Sequence, residues 1–395
     1  MLGKDYVTRV LTTWADIPAS PWNALLLAQE AQALGPFMRH EYLAAMQASG
    51  SASPSTGWRL RIISLWRGEE LIAACPLYLK DHSYGEYVFD WAWANAYQQH
   101  GLNYYPKALV ASPFTPVPGP RLLAKDAAAR GALVQALLAW CRQEQLSSLH
   151  LLFLSQQDLA TCTEAGLMLR QTVQFHWQNR RPGDATRFAD FEDFLASLSQ
   201  DKRKKIRQER RKVAEAGVVF RWSRGAAIAG ADWDFFYRCY ERTYLEHGNR
   251  PYLSREFFAQ IAREIPEHWL LFVAERDGHA VACSLIGLSQ NGPHGPAVAY
   301  GRYWGALERV DCLHFEACYY QPLAWCIAQG VERFEGGAQG EHKMARALMP
   351  TATHSAHWLA HPAFADAVER FLEREGQGVQ HYLEHLHGRT PFRQA

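Results

Sequence analysis

The sequence predicts an α/β fold with mixed sheets, built as two copies of one unit. Three observations point there. A β-hairpin pattern occurs once in each half of the chain. Each hairpin is followed, after an irregular interval, by an amphipathic helix and a short apolar strand. The 395 residues also exceed what one ordinary core organises.

In chain order, Trp58–Arg67 and Glu70–Lys80 are rich in β-branched and large apolar residues around a turn at Gly68. An aromatic insertion follows, about residues 81–120, closed by a stiff loop with Pro113, Pro116, Pro118 and Pro120. Leu133, Leu137 and Trp140 then make the apolar face of a helix capped by Asp126, and Leu149–Leu154 reads as a strand. Phe191–Gly217 is expected to be one long helix. Trp269–Arg276 and His279–Leu288 form the second hairpin around Asp277-Gly278, and Ala297–Trp304 reads as a further strand. A helix with the stripe Leu313, Ala317, Tyr320, Ala324 and Ile327 follows, capped by Asp311, kinked at Pro322 and stopped at Gly330. Val331–Glu335 is the last strand of the repeat. The domains expected are 1–185 and 186–395.

Composition narrows the functional classes. A formal net charge of +1 supplies no global field to recruit nucleic acid or membrane. The eight cysteines form no C-x-x-C pair and sit mostly in apolar runs, as reduced buried thiols do. No signal peptide and no transmembrane segment is expected, which points to a cytoplasmic enzyme, with peripheral membrane contact left open. G-x-S-x-G, P-loop and G-x-G-x-x-G motifs are absent.

The loop Phe334-Glu335-Gly336-Gly337-Ala338-Gln339-Gly340-Glu341-His342-Lys343 carries the strongest chemical signal. Glycines let backbone N–H groups approach a ligand, and an acid, an imidazole and an amine follow on consecutive residues. Upstream, strand alternation would put Tyr300, Arg302 and Trp304 on one face, as an anion clamp or as a stacked arginine on a sheet surface. His314 and Glu316 lie nearby, on the first turns of the next helix. Eight of the eleven residues from Lys202 to Lys212 are basic. That run, with Lys202, Arg203, Lys205, Arg207 and Arg210, is either a solvated linker helix or a contact for the phosphates of a polynucleotide or an anionic lipid headgroup. Trp91, Trp93, Tyr104, Tyr105 and Lys107 of the insertion either line a sugar or peptide site or form the core of a packed lobe. His357/His361 and His381/His385 have metal-pair spacing, but nothing completes a ligand set, so no metal is expected.

The basic run Lys202–Lys212, the hairpin at Asp277-Gly278, the Ala299–Gly305 strand and the Phe334–Lys343 loop together resemble the FemAB-like branch of the GCN5-related N-acetyltransferase (GNAT) superfamily. Tyr87–Trp93 and Tyr104–Lys107 resemble it too. The resemblance implies two tandem GNAT-like domains. It implies transfer of an aminoacyl group from aminoacyl-tRNA to an amine, as of a peptidoglycan precursor, with no tightly bound cofactor. Lys343 takes the place of the family's lysine, as stabiliser of the reacting carbonyl or of phosphate, and His342 stands where the family has an aromatic residue. On that reading Glu341 or His342 is the base, the backbone of Gly337–Gly340, including Gln339, helps hold the oxyanion, and Arg302 orients an anionic substrate group. Two alternatives remain: an acyl-CoA donor with a small amine or peptide acceptor, and a non-catalytic binder of cell-wall fragments. The oligomeric state is not legible.

Overall fold

Alternating apolar residues and tight turns produce both hairpins where the sequence puts them. In the computed structural model, which describes residues 6–29, 34–289, 291–292, 295–338 and 340–393, Trp58–Arg67 pairs with Glu70–Lys80, and Trp269–Arg276 with His279–Leu288. Asp277 and Gly278 turn with φ of 52° and 77°, the left-handed values a two-residue connection requires.

The strands are β1 (Val7–Leu11), β2 (Trp58–Arg67), β3 (Glu70–Lys80), β4 (Lys107–Val110), β5 (Leu123–Ala124), β6 (Ser148–Leu151), β7 (Met168–Gln178), β8 (Val218–Arg224), β9 (Trp269–Arg276), β10 (His279–Leu288), β11 (Asn291–Gly292), β12 (Gly295–Pro296), β13 (Val298–Ala306), β14 (Arg333–Ala338) and β15 (Met349–Leu359). Two compact units result. The first comprises Met1–Thr172 and Ala352–Tyr382, the second Val173–Thr351 and Leu383–Ala395.

In the first unit the strand order is β1-β2-β3-β4-β6-β15, with β5 on β3. Every pair is antiparallel except β4 with β6. In the second the order is β8-β9-β10-β13-β14-β7, and every pair is antiparallel except β13 with β14. The two sequences of pairings are the same, so the duplicated α/β unit is present in the fold. In each unit the last strand comes from the other half of the sequence: β15 in the first, β7 in the second.

Helix Ala127–Gln143 covers the first sheet, with Asp126 accepting from Ala129 N at 2.8 Å and Leu133 and Leu137 fully buried. Helix Gln321–Ala328 buries Leu323 and Ile327 against Phe334 and Ile286 in the second.

Some element boundaries differ from those expected. Leu149–Leu154 is a strand only to Leu151, because Phe153 turns at φ 55°. Phe191–Gly217 is two helices, Phe191–Ser197 and Gln200–Glu215. Leu198 is extended, Ser199 N donates to the carbonyl of Pro391 at 2.9 Å, and Arg393 N to that of Ser197 at 2.9 Å. Backbone bonds to the C-terminal segment thus replace the next helical turn. Asp311 is not a cap: Cys312 precedes the first helical turn, at φ 66°. All eight cysteines are free thiols. Among the described residues no helix is long and apolar enough to cross a membrane.

Candidate active site

The site forms where two parallel strands part. Among the described residues, β13 and β14 pair through Val298–Arg333, Ala299–Phe334 and Tyr300–Glu335 and no further. On the other side of β13, Leu285 of β10 faces Tyr303 while Ile286 faces Gly301, which makes Arg302 the extra residue of a β-bulge. The bulge overturns the expected alternation. Gly301, Arg302, Tyr303 and Trp304 all line one cavity of about 150 Å3, whereas Tyr300 is buried in the core. A Cβ on Gly301 would come within 2.8 Å of the Phe334 ring.

The glycine loop supplies the opposite wall. Gly336 lies so close to its neighbours that a Cβ would stand 2.3 Å from Leu348 and 3.0 Å from the Phe175 carbonyl. Gly340 has φ 95°, which L side chains rarely adopt, and it leads into the turn Glu341–Arg346. That turn carries Lys343 back over the loop, where Nζ donates to the carbonyl of Gly336 at 2.6 Å and the side chain lines the cavity. Burial pushes the Lys343 amine down from its usual value to about 8. Gly337 turns at φ 74°, and Gln339 lies outside the described residues. Glu341 and His342 do not line the cavity. Glu341 is exposed and bonded to Arg389 at 3.0 Å, and the exposed His342 ring lies 6.2 Å from Phe315.

The third wall is a widened helical turn. Pro322 offers no N–H to the carbonyl of Cys318 and its ring crowds that carbonyl. The expected kink appears as a π turn over Glu316–Tyr320, between α-helical Leu313–Phe315 and Gln321–Ala328. Ser284 Oγ donates to the Ala317 carbonyl at 2.6 Å and ties this turn to β10. His314, Cys318 and Tyr319 line the cavity. The imidazole of His314 packs edge-on against Trp304 and keeps one side open to water. Surrounding protein, with His342, Arg346 and Lys343 nearby, holds it below its usual pKa, so it is neutral at pH 7. Glu316 turns to the opposite side, where Arg210 donates to it at 3.2 Å.

A buried ion pair fixes the loop. Arg346, three residues after Lys343, donates to Glu209 of the basic helix at 2.8 Å, to the Tyr320 hydroxyl at 3.1 Å and to the His342 carbonyl at 2.9 Å. Tyr320 donates to the same Glu209 oxygen. Sequence reasoning missed Arg346, Glu209, Tyr319 and Cys318. Pro322 within a helical stripe was the local signal that the turn around Cys318 would be irregular. The basic helix buries Ile206, Glu209 and Val213, while Lys205 and Arg207 are exposed and Lys202, Arg203 and Arg210 half-buried.

In the first unit, Trp93, Tyr104 and Lys107 of the insertion are core residues. Lys107, wholly buried, donates to Ser83 at 2.7 Å, Glu86 at 2.8 Å and Asp90 at 2.5 Å. Tyr104 donates to Asp90 at 2.6 Å and meets His150 Nε2 at 3.1 Å, and His150 Nδ1 meets His357 Nδ1 at 2.7 Å. Burial raises Glu86 to about 7; Asp90, equally enclosed, is held below the usual carboxylate range by Lys107. Trp91 stays exposed beside Tyr84, and Tyr105 is half-buried with its hydroxyl 2.9 Å from Ser83 Oγ. His357 is thus engaged with His150, and no group of metal-ligating side chains is assembled among the described residues.

Residues 13–394 match the FemAB-like family, described as peptidoglycan biosynthesis/recognition. No curated protein matches the sequence significantly. Among solved structures, FemX superposes with a TM-score of 0.53 at 10% identity, covering 91% of this chain and 100% of FemX. The C-terminal domain of a putative lysylphosphatidylglycerol synthetase from Agrobacterium fabrum gives 0.53 at 11% identity, covering 89% and 94% of the two chains. L-PGS from Bacillus licheniformis gives 0.52 at 10% identity, covering 90% and 97%. At such identities these likenesses speak to fold.

Proposed function

The chain belongs to the FemAB-like family, and from that premise we propose that it is an N-acyltransferase that moves an aminoacyl group from aminoacyl-tRNA to an amine of a peptidoglycan precursor. The observation that carries this reading is the Lys343 ammonium, bonded to the Gly336 carbonyl and lining a cavity where β13 and β14 separate. The acceptor amine attacks the ester carbonyl; a C–N bond forms, the C–O bond breaks, and the ribose hydroxyl leaves. Lys343, in its charged form, and backbone N–H groups of the glycine loop stabilise the oxyanion. His314, neutral and at the cavity wall, accepts the proton that the amine loses and returns it to the departing ribose oxygen, which leaves as the hydroxyl. Arg302 faces the same cavity and orients an anionic part of a substrate. Glu341, which sequence reasoning offered as a base, pairs with Arg389 outside this cavity, so His314 is the better-supported base.

The test is transfer of a radiolabelled amino acid from charged tRNA to a muropeptide amine, with acetyl-CoA as the competing donor. Transfer from charged tRNA that falls by about a hundredfold in Lys343→Ala, the scale of losing one oxyanion donor, supports the assignment. Full activity in that variant removes Lys343 from the mechanism. Turnover with acetyl-CoA alone makes the donor an acyl thioester instead.

A further inference from the structure

A second cavity, of about 430 Å3, opens on the same unit beneath the basic helix Gln200–Glu215. Arg207, Arg210 and Arg211 line it, together with an apolar wall that includes Leu195, Val213 and Phe220. Two carboxylates, Glu192 and Glu316, share the lining, so guanidinium groups are in excess. The pairs these arginines make differ in strength. Arg207 meets Glu192 at 2.5 Å and Arg211 meets Glu215 at 3.5 Å, with both partners of each pair more than half exposed. Exposed pairs are weak and exchange readily for a better anion. Arg210 is held more firmly, stacked over Phe191 at 4.7 Å and donating to buried Glu316, which Gln321 also contacts at 2.7 Å.

We propose that this cavity binds a phosphate ester, its phosphate held by Arg207 and Arg211 at the rim beside Arg210, and its non-polar body resting on Val213, Val218 and Phe220. A phosphate fits better than a carboxylate, because its several oxygens can engage more than one guanidinium at once. A polynucleotide fits less well, since three guanidinium groups gathered beside an apolar wall of Val213, Val218 and Phe220 suit one small group, whereas a strand needs an extended cationic track with stacking platforms. The cavity also shares a wall with the lysine site. Glu316 faces it, and two and three residues on, Cys318 and Tyr319 line the cavity that Lys343 lines.

Isothermal titration of the full chain with phenyl phosphate, inorganic phosphate and dihexanoyl phosphatidate tests the proposal. Binding is the only readout, so the outcome is independent of whether the chain transfers acyl groups. Phenyl phosphate is expected to bind about tenfold more tightly than inorganic phosphate, and added salt weakens both. Arg207→Gln/Arg211→Gln, at exposed positions that leave the fold intact, lowers that affinity about tenfold. Ala214→Trp, at an exposed helix position lining the cavity, blocks binding without changing charge. Tighter binding of dihexanoyl phosphatidate than of phenyl phosphate identifies the ester as a lipid headgroup, and weaker binding as a small soluble ester. Equal affinity for phenyl and inorganic phosphate, or binding untouched by both variants, overturns the proposal.

Discussion

At the scale of single residues, the Lys343 amine carries a cost that follows from its position. Burial lowers its pKa from 10.5 to about 8, so between those values the unfolded chain binds a proton that the folded chain does not. The charged amine therefore destabilises the fold at neutral pH, and this penalty fades as pH rises through that window. Lys343→Met is expected to raise the melting temperature at pH 7, with the gain shrinking towards pH 10, while transfer is lost. A melting temperature that drops at pH 7 would show that the bond to Gly336 outweighs burial. Because the proposed mechanism needs the ammonium form, transfer should also fall above about pH 8. The buried imidazoles of the first unit act in the acid range. Burial, with Lys107 and Arg170 nearby and opposed by Asp90, lowers His150 to about 3 and depresses His357 as well. Their folded pKa values lie below the unfolded ones, so their contribution is intact above about 6.5 and is lost as pH falls towards 3. Urea denaturation between pH 7 and 4 should show that loss, and His357→Asn should flatten it; an unchanged slope would exclude the pair as its source. Lys343 was legible because a glycine run after an apolar strand leaves a local mark. Glu209 and Arg346 were not, since a buried pair 137 residues apart leaves no periodicity in either segment.

At the scale of elements, regular segments were legible and their interruptions less so. Both hairpins occupy the ranges read from the sequence, because alternation and Asp-Gly chemistry act locally. The bulge at Arg302, the break at Leu198–Ser199 and the π turn at Glu316–Tyr320 arise from neighbours distant in sequence or from a proline whose effect on phase is not fixed in advance. These interruptions shape the site: the bulge puts four consecutive residues on one cavity, and the π turn sends Glu316 to one side and Cys318 to the other. The Glu209–Arg346 pair then joins the basic helix to the glycine loop, with Arg346 also stacked over Phe315 at 3.7 Å. Arg346→Met leaves the Glu209 carboxylate buried beside Tyr320 without its cation. A loss of about 3 kcal/mol in urea denaturation is expected, as for removing one partner of a buried pair. A double variant, Glu209→Gln with Arg346→Met, should recover part of that loss by removing the stranded charge. If the single and double variants are equally unstable, the pair is not what holds the loop.

At the scale of the whole molecule, the duplicated order of hairpin, helix and strand along the chain was legible, but the exchange of last strands was not, since nothing in β7 or β15 says which sheet each will join. The exchange has a consequence for folding. In the first unit β6 pairs with β15 through Ser148–Leu359, Leu149–Trp358, His150–His357 and Leu151–Ala356. The same C-terminal segment contributes Leu359, Val368 and Leu372 to the cluster around Trp93, Tyr97 and Tyr104. Residues 1–172 expressed alone would therefore leave β6 as an open edge, expose that aromatic cluster and remove the imidazole that His150 contacts. An unpaired apolar edge strand promotes association between chains. Size-exclusion chromatography should show aggregates or poorly folded material for 1–172, and a monodisperse species once residues 352–382 are joined to it through a flexible linker. Amide exchange at Leu149 and Leu151 should slow by orders of magnitude in the linked form, because those strand positions regain their partner. If 1–172 is monodisperse and already protected at these amides, the C-terminal strand is dispensable, and the first unit folds from its own contiguous sequence.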